Sequence, residues 1–268
     1  NARIVRNTTN LGFGPACMQA AEMVRGRYLL FLNNDALLQE RALSIALENF
    51  NRSTKVGAVG GKILLADGRL QEAGSMVWSD GSALGYGRAA DPRAWPYVFR
   101  RPVDYCSGAF LFTPRKLFSQ LNGFSEQYAP AYYEDTDYCL KVWNSGLEVI
   151  YEPRAVIRHY ESASSGGNDS AKSLMAINQK KFSEQWKDEL QRHWPPNPQN
   201  TLRARIAAGS QGYRILYLDD RIPHRDLGSG FPRSNDIVRE LAMLGHHVTC
   251  VGLNFPIDVG GDEYRDIP

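Results

Sequence analysis

Residues 26–35 read Gly26-Arg-Tyr-Leu-Leu-Phe-Leu-Asn-Asn-Asp35. The run Tyr28-Leu-Leu-Phe-Leu32 has no polar face. It predicts a strand buried on both sides, as in a parallel sheet with helices on each face. The run stops abruptly at Asn33-Asn34-Asp35. Open α/β sheets bind ligands just beyond the carboxyl ends of their strands. A carboxylate there, Asp35, can hold a hard divalent cation that bridges two phosphates. The same three residues also suit an ordinary strand-to-helix turn.

Outward from this stretch the pattern stays α/β. Upstream, Ile4-Val5 reads as extended and Asn10-Leu-Gly-Phe-Gly14 as a turn. Pro15 suits the first turn of a helix that Gly26 ends. Downstream, a helix is expected over 39–50, with Leu43, Leu47 and Phe50 on one side. A strand follows over 56–65. Asp67-Gly68 and Asp80-Gly81 are hairpin dipeptides. Residues 85–102, rich in Gly, Pro and Arg, read as a long loop of the kind that is often functional. A strand over 105–112 leads to a helix opened by Thr113-Pro114 and closed near Gly123. Another helix, 134–145, ends at Gly146. Short strands are expected over 147–151 and 155–159, then a Ser/Gly/Asn loop over 161–170. A helix from 171 to about 193 should bury Leu174, Ile177, Phe182 and Trp186.

Trp194-Pro-Pro-Asn-Pro198 then reads as a break, because prolines cannot continue a helix. The expected organisation is a domain over 1–193, a linker over 194–212 and a second unit over 213–268. The second unit opens as strand, glycine turn, helix, strand: Arg214-Ile-Leu-Tyr-Leu218, Gly228-Ser-Gly230, a helix over 235–244 capped by Gly245, and a strand over 247–253. That order is the start of a Rossmann-like β-α-β unit.

Composition narrows the function classes. In 268 residues, 31 Lys and Arg against 29 Asp and Glu give a net charge of +2. That balance offers no electrostatic case for nucleic acid or an anionic membrane. No apolar run reaches the roughly 18 residues needed to span a bilayer. The four cysteines, Cys17, Cys106, Cys139 and Cys250, have no zinc or redox spacing. They fit a reducing, cytoplasmic compartment.

Chemistry concentrates in Glu134-Asp135-Thr136-Asp137, with three carboxylates at a helix start. The helix dipole favours them as anions, while their mutual repulsion pushes at least one pKa upward. Such a group can take a proton from an attacking hydroxyl. A plain acidic helix terminus is the plainer reading of the same residues. The aromatic pair Tyr132-Tyr133 just before it suits a sugar face. His159 closes a strand and is a possible ligand for Mn²⁺-like ions, though a lone strand-end His is commonly structural. Trp78, Tyr86, Trp95 and Tyr97 could stack on a sugar or simply pack.

Taken in order, these pieces resemble glycosyltransferase family 2. Asn10-Leu-Gly-Phe-Gly14 with Gly26 to Asp35 resembles its N-x-G and N-x-D signature. Tyr105-Cys-Ser-Gly-Ala109 resembles its acceptor-side S-G-A, and Gly123-Phe124 with Glu134-Asp135-Thr136-Asp137 its G-F and E-D-x-D. The resemblance covers residues 1 to about 190 and is strongest to a rhamnosyltransferase-like branch that builds surface polysaccharide. It implies an α/β, GT-A fold with a mixed sheet flanked by helices. It implies inverting transfer of a hexosyl or deoxyhexosyl group from a nucleotide-sugar to a glycan or lipid-linked glycan hydroxyl. Asp135 would be the catalytic base. Asn10, Gly12, Asn33, Asn34 and Asp35 would bind the donor, and Gly108, Tyr133 and Glu134 the acceptor. Asp35 and His159 would hold Mn²⁺ or Mg²⁺. Asn33 stands where many members carry a first Asp, so the metal has one carboxylate fewer.

The chain opens on Asn1 rather than Met, and the family's opening strand, first helix and second strand have no counterpart in it. It therefore reads as an excerpt that alone binds donor poorly. The second unit resembles the start of a family 4, GT-B transferase, which implies two transferase units in tandem. A cytoplasmic enzyme, at most peripheral at the inner membrane face, is the expected setting. The rival readings are an inactive glycan-binding or scaffolding module, and a sugar nucleotidyltransferase.

Overall fold

A computed structural model of the chain describes residues 3–161, 168–210, 212–228 and 230–254, without the side chains of 168 and 169. The first unit spans Asn1–Gly209. In chain order its elements are α1 (Phe13–Met23), β1 (Tyr28–Leu32), β2 (Ala36–Leu38), α2 (Ala42–Arg52), β3 (Val56–Leu64), β4 (Leu70–Ala73), β5 (Ser75–Val77) and β6 (Ala83–Gly85). There follow β7 (Arg101–Pro102), β8 (Phe110–Pro114), α3 (Arg115–Gln120), α4 (Glu134–Asn144), β9 (Glu148–His159), α5 (Asn168–Gln185), α6 (Lys187–Leu190) and α7 (Thr201–Ala204).

The sheet is mixed, as expected. Its strands run β1-β8-β3-β9-β2, with β4 beside β3 and β7 beside β9. β3 and β9 pair in parallel, and the other pairs of this sheet are antiparallel. β1 departs from the parallel expectation: it pairs antiparallel with β8, Leu32 opposite Phe110. Its apolar run records burial on two faces rather than parallel pairing. Leu29 and Phe31 enter one core with Leu111, Val149, Tyr151, Phe118 and Tyr138. Leu30 and Leu32 pack on the other side with Val59, Ile63, Phe110, Ile150, Ile157 and Ile45 of α2. Period-two alternation in β1, β8 and β9 thus divides the two cores.

Four further differences have physical causes. The strand expected over 105–112 begins only at Phe110, because Ser107 to Ala109 form a turn closed by Phe110 N–H donating to Ser107 O at 3.0 Å. The two strands read over 147–151 and 155–159 are one, β9. Its pairing jumps from Gly61 opposite Glu152 to Lys62 opposite Val156, leaving Pro153, Arg154 and Ala155 as a bulge that hides the continuity. The helix α5 buries Phe182 and, with Trp186 and Leu190, follows an i, i+4 stripe that starts at Asn178, whereas Ile177 is 55% exposed. The stretch read as a linker is folded onto the first unit as far as Gly209. Ser79 N–H donates to Trp194 O at 3.0 Å, Ala208 N–H to Asp104 Oδ1 at 2.9 Å, and Ala204 enters the core. Its prolines lie beyond the end of α6 and do not free the chain.

The second unit, Ser210–Pro268, is described as far as residue 254. It holds β10 (Arg214–Asp219), α8 (Phe231–Met243) and β11 (His247–Gly252), the two strands parallel with Arg214 opposite His247. Ser229 of the glycine turn and most of the loop expected over 161–170 lie outside the described residues. Among the described residues no helix is long and apolar enough to cross a membrane.

Candidate functional site

The end of β1 and the end of β9 meet through β2. Antiparallel pairing sets Ala36 opposite His159, which brings the preceding Asp35 to the same place. His159 Nε2 lies 3.0 Å from Asp35 Oδ1 and 3.1 Å from Asn33 Nδ2. The other ring nitrogen, Nδ1, lies 2.9 Å from Gln71 Oε1. Asp35 and His159 side chains are only 14% and 10% exposed, so water screens the pair poorly. Asn34 is exposed.

The start of β8 and the start of α4 form the second half. Gly108 N–H donates to Asp135 Oδ2 at 2.8 Å. Asp135 Oδ1 accepts from Thr136 N–H at 2.7 Å and from the Thr136 hydroxyl at 3.2 Å. Burial nevertheless raises the Asp135 pKa, the hydrogen bonds only partly opposing it. Glu72 of β4 stands on the same turn, its Oε1 accepting from Ser107 N–H at 3.4 Å. Burial first, and then the charge of Asp135, push Glu72 up to about 7. Successive amides of one turn therefore hold two carboxylates side by side.

This turn also joins the two halves. Asn33 N–H donates to Ala109 O at 3.3 Å, the residue after Gly108. The antiparallel register of β1 with β8 requires that contact, since Leu32 and Phe110 are paired. A Cβ on Gly108 would stand 2.8 Å from the tip of the Phe13 ring, which would have to shift.

The Asn10–Gly12 turn borders the acidic helix rather than the Asp35 pair. Gly12 N–H donates to Asn10 Oδ1 at 3.0 Å and Phe13 N–H to Pro130 O at 2.8 Å. Gly12 has φ +83°, and a Cβ on it would lie 2.2 Å from Pro130 O. The three carboxylates of the acidic motif separate. Asp137 is fully buried and ties α4 to the end of α5 through Gln185 at 2.7 Å and to Trp186, just beyond it, at 3.0 Å, with Lys141 as its ion pair at 2.7 Å. Glu134 is buried against Gly14 of α1 with Oε2 unpartnered, and burial and then Asp135 raise its pKa. The Tyr133 hydroxyl donates to Gly81 O at 3.0 Å and its ring packs on Phe182. Burial pushes that hydroxyl up to about 12.

Gln71 and Glu72 escaped the sequence reading. Their one signal was two successive polar residues between Leu70 and Ala73, right after a hairpin dipeptide. Of the four loop aromatics, Trp78 and Tyr86 are buried in the core, Tyr97 packs on Tyr86, and Trp95 is 61% exposed.

The Asp35 pair fits a hard divalent cation. Carboxylate and imidazole are both ligands for Mn²⁺-like ions. The two donors, Asp35 Oδ1 and His159 Nε2, stand side by side, 3.0 Å apart and largely shielded from water. Among the described residues no third His, Cys, Asp or Glu joins them. That suits an ion completed by phosphate oxygens and water rather than one caged by protein.

Residues 1–179 match the model of a family described as glycosyltransferase like family 2. An O-antigen biosynthesis protein of Myxococcus xanthus is 30% identical over 151 residues, 54% of this chain and 12% of that protein. An N-acetylglucosaminyl-diphospho-decaprenol L-rhamnosyltransferase of Mycobacterium tuberculosis is 27% identical over 198 residues, covering 66% of this chain and 64% of that protein. The chain thus spans less than two thirds of each of these relatives. Among solved structures, GalNAc-T7 with UDP, GalNAc and Mn²⁺ aligns at TM-score 0.55 and 13% identity, over 71% of this chain and 38% of that one. That likeness is one of fold.

Proposed function

The chain belongs to glycosyltransferase like family 2, and on that premise we propose that its first unit moves a glycosyl group from a nucleotide-sugar to a glycan hydroxyl with inversion. The group is hexosyl or deoxyhexosyl, rhamnosyl being the first candidate given the mycobacterial relative. The setting is cell-surface polysaccharide synthesis at the cytoplasmic side of a membrane, on a lipid-linked or free glycan. The observation that carries this reading is the Ser107–Ala109 turn, which touches Asn33 on one side and Asp135 on the other.

In this mechanism Asp135 is the base. Three hydrogen-bond donors fix its carboxylate, and burial raises its affinity for a proton. Asp135 takes the proton as the acceptor O–H bond breaks and the new O–C1 bond forms. The C1–O bond to phosphate breaks on the opposite face, so the anomeric centre inverts in one step. Asn33 and Asp35 border the departing diphosphate, with Gly12 and Asn10 shaping the loop beneath α4. Mn²⁺ or Mg²⁺ held by Asp35 and His159 would supply the Lewis acidity that neutralises the leaving nucleoside diphosphate. Glu134, next to Asp135, would border the acceptor through its backbone.

The second unit extends the proposal. Its parallel β-α-β order supports a Rossmann-like unit of a family 4, GT-B transferase, which would add a second sugar. Loss of one of two sugars in the product when the first unit is inactivated is the expected outcome. A product unchanged in composition would remove the tandem reading.

The test of the main reading is donor turnover by the full-length protein over a panel of nucleotide-sugars, with Mn²⁺ or EDTA, beside Asp135→Asn. Metal-dependent turnover of one donor, lost in the variant, is expected. Turnover that survives both EDTA and the substitution would remove the reading.

A further inference from the structure

β4 carries two consecutive buried polar residues, Gln71 and Glu72. In a regular strand neighbours point to opposite faces, yet both of these serve the site. The register explains how. Lys62 pairs with Ala73 and Ile63 with Glu72, but Leu64 pairs with Leu70. Gln71 is the extra residue of a bulge, a device that re-aims a side chain. The bulge delivers Gln71 Oε1 to 2.9 Å from His159 Nδ1.

A neutral imidazole carries one N–H, and the partner of each nitrogen decides which one holds it. Two acceptors compete for that proton in this site. Gln71 Oε1 faces Nδ1, and Asp35 Oδ1 faces Nε2 at 3.0 Å. A proton on Nε2 would occupy the lone pair that a cation needs. A proton on Nδ1, accepted by Gln71, leaves that lone pair open beside the carboxylate. Asn33 Nδ2, 3.1 Å from Nε2, can donate to the open lone pair and so favours the same tautomer.

We propose that Gln71 is a positioning residue of the divalent-cation site: as the acceptor at Nδ1, it keeps the His159 Nε2 lone pair free and aimed beside Asp35. The proposal rests on Asp35 and His159 being the cation-holding pair. Its reach is one step further, to a residue that touches neither cation nor substrate. Outer partners of this kind change metal affinity by roughly 10–100-fold when removed.

The experiment compares the full chain with Gln71→Leu and Gln71→Glu. Leu removes the acceptor at similar volume, and Glu retains it. Titration with Mn²⁺ alone reads affinity. Gln71→Leu should bind Mn²⁺ about 10–100-fold more weakly than wild type, and Gln71→Glu should stay close to wild type. Equal affinity in wild type and Gln71→Leu, or equal weakening in the Leu and Glu variants, overturns the proposal. Absence of Mn²⁺ binding in the wild type strikes instead at the Asp35–His159 pair, so the two failures are distinguishable.

Discussion

Replacing Glu72 by Gln should stabilise the first unit at pH 8 and have far less effect at pH 5. The Glu72 carboxyl is 7% exposed and titrates at about 7, against 4.5 for an unburied glutamate. Folding therefore takes up a proton between those two values. The stability tied to that proton is fully present below pH 4.5 and is lost as pH rises through 7. At about 1.4 kcal/mol per pH unit, the gap comes to roughly 3 kcal/mol lost by pH 8, as an upper bound. A neutral glutamine carries no such dependence. The assay is urea unfolding followed by tryptophan fluorescence at both pH values. All five tryptophans, Trp78, Trp95, Trp143, Trp186 and Trp194, lie in the first unit, so the signal reports the unit that holds Glu72. Using the difference between the two pH values cancels whatever the amide gains or loses by its own hydrogen bonds. A stability change of equal size at pH 5 and pH 8 would refute the reasoning, because it would mean that the buried carboxyl titrates as an exposed one.

Other outcomes follow from the same geometry. Asp135→Asn should abolish transfer while leaving Mn²⁺ affinity within a few-fold of wild type; calorimetric titration with Mn²⁺ alone separates the two effects. Asp35→Asn should do the converse, raising the metal concentration needed for turnover or abolishing binding, and an unchanged metal requirement would remove Asp35 from the site. Gly12→Ala must hold alanine at φ +83° with its Cβ 2.2 Å from Pro130 O. That backbone conformation, φ +83° with ψ 174°, is essentially restricted to glycine and costs another residue about 1–3 kcal/mol, so a lower melting temperature is expected, and an unchanged one would show that the turn relaxes freely. Tyr133→Phe loses one hydrogen bond to Gly81 O and should cost about 1 kcal/mol of stability with the acceptor KM unchanged; a raised KM would return Tyr133 to the acceptor side.

Much of the scaffold was legible because its signals are local. Asp67-Gly68 and Asp80-Gly81 do close the turns between β3 and β4 and between β5 and β6, with Gly68 at φ +88° and Gly81 at φ +78°. The run at Tyr28 is a strand because five successive apolar residues can be buried on both faces. What stayed hidden depends on pairing with distant chain. β2 is three residues long and exists because β9 pairs with it. Pro153 and Arg154 made β9 look like two strands. The meeting of Asp35, His159 and Asp135 with one another's neighbours was suggested by motif order alone, and their distances come from registers that no window of sequence contains. Gln71 and Glu72 were missed for the same reason: a bulge is a property of two strands. Tyr133 was placed near the acceptor because aromatic rings suit sugars; the packing of its ring on Phe182 of α5 was hidden because the two lie far apart in the chain.

The Ser107–Ala109 turn has a mechanical consequence. Its Gly108 amide grips Asp135, the proposed base, and its Ala109 carbonyl grips Asn33, the residue after β1. The gap between the two chemical halves is thus spanned by a short covalent stretch, at most about 3.5 Å per residue, rather than by packing between separately moving layers. Thermal breathing of the sheet and helices can loosen their packing without changing that spacing much. The spacing of Asp135 from Asn33 should therefore survive loosening that would separate two halves held only across a packed interface.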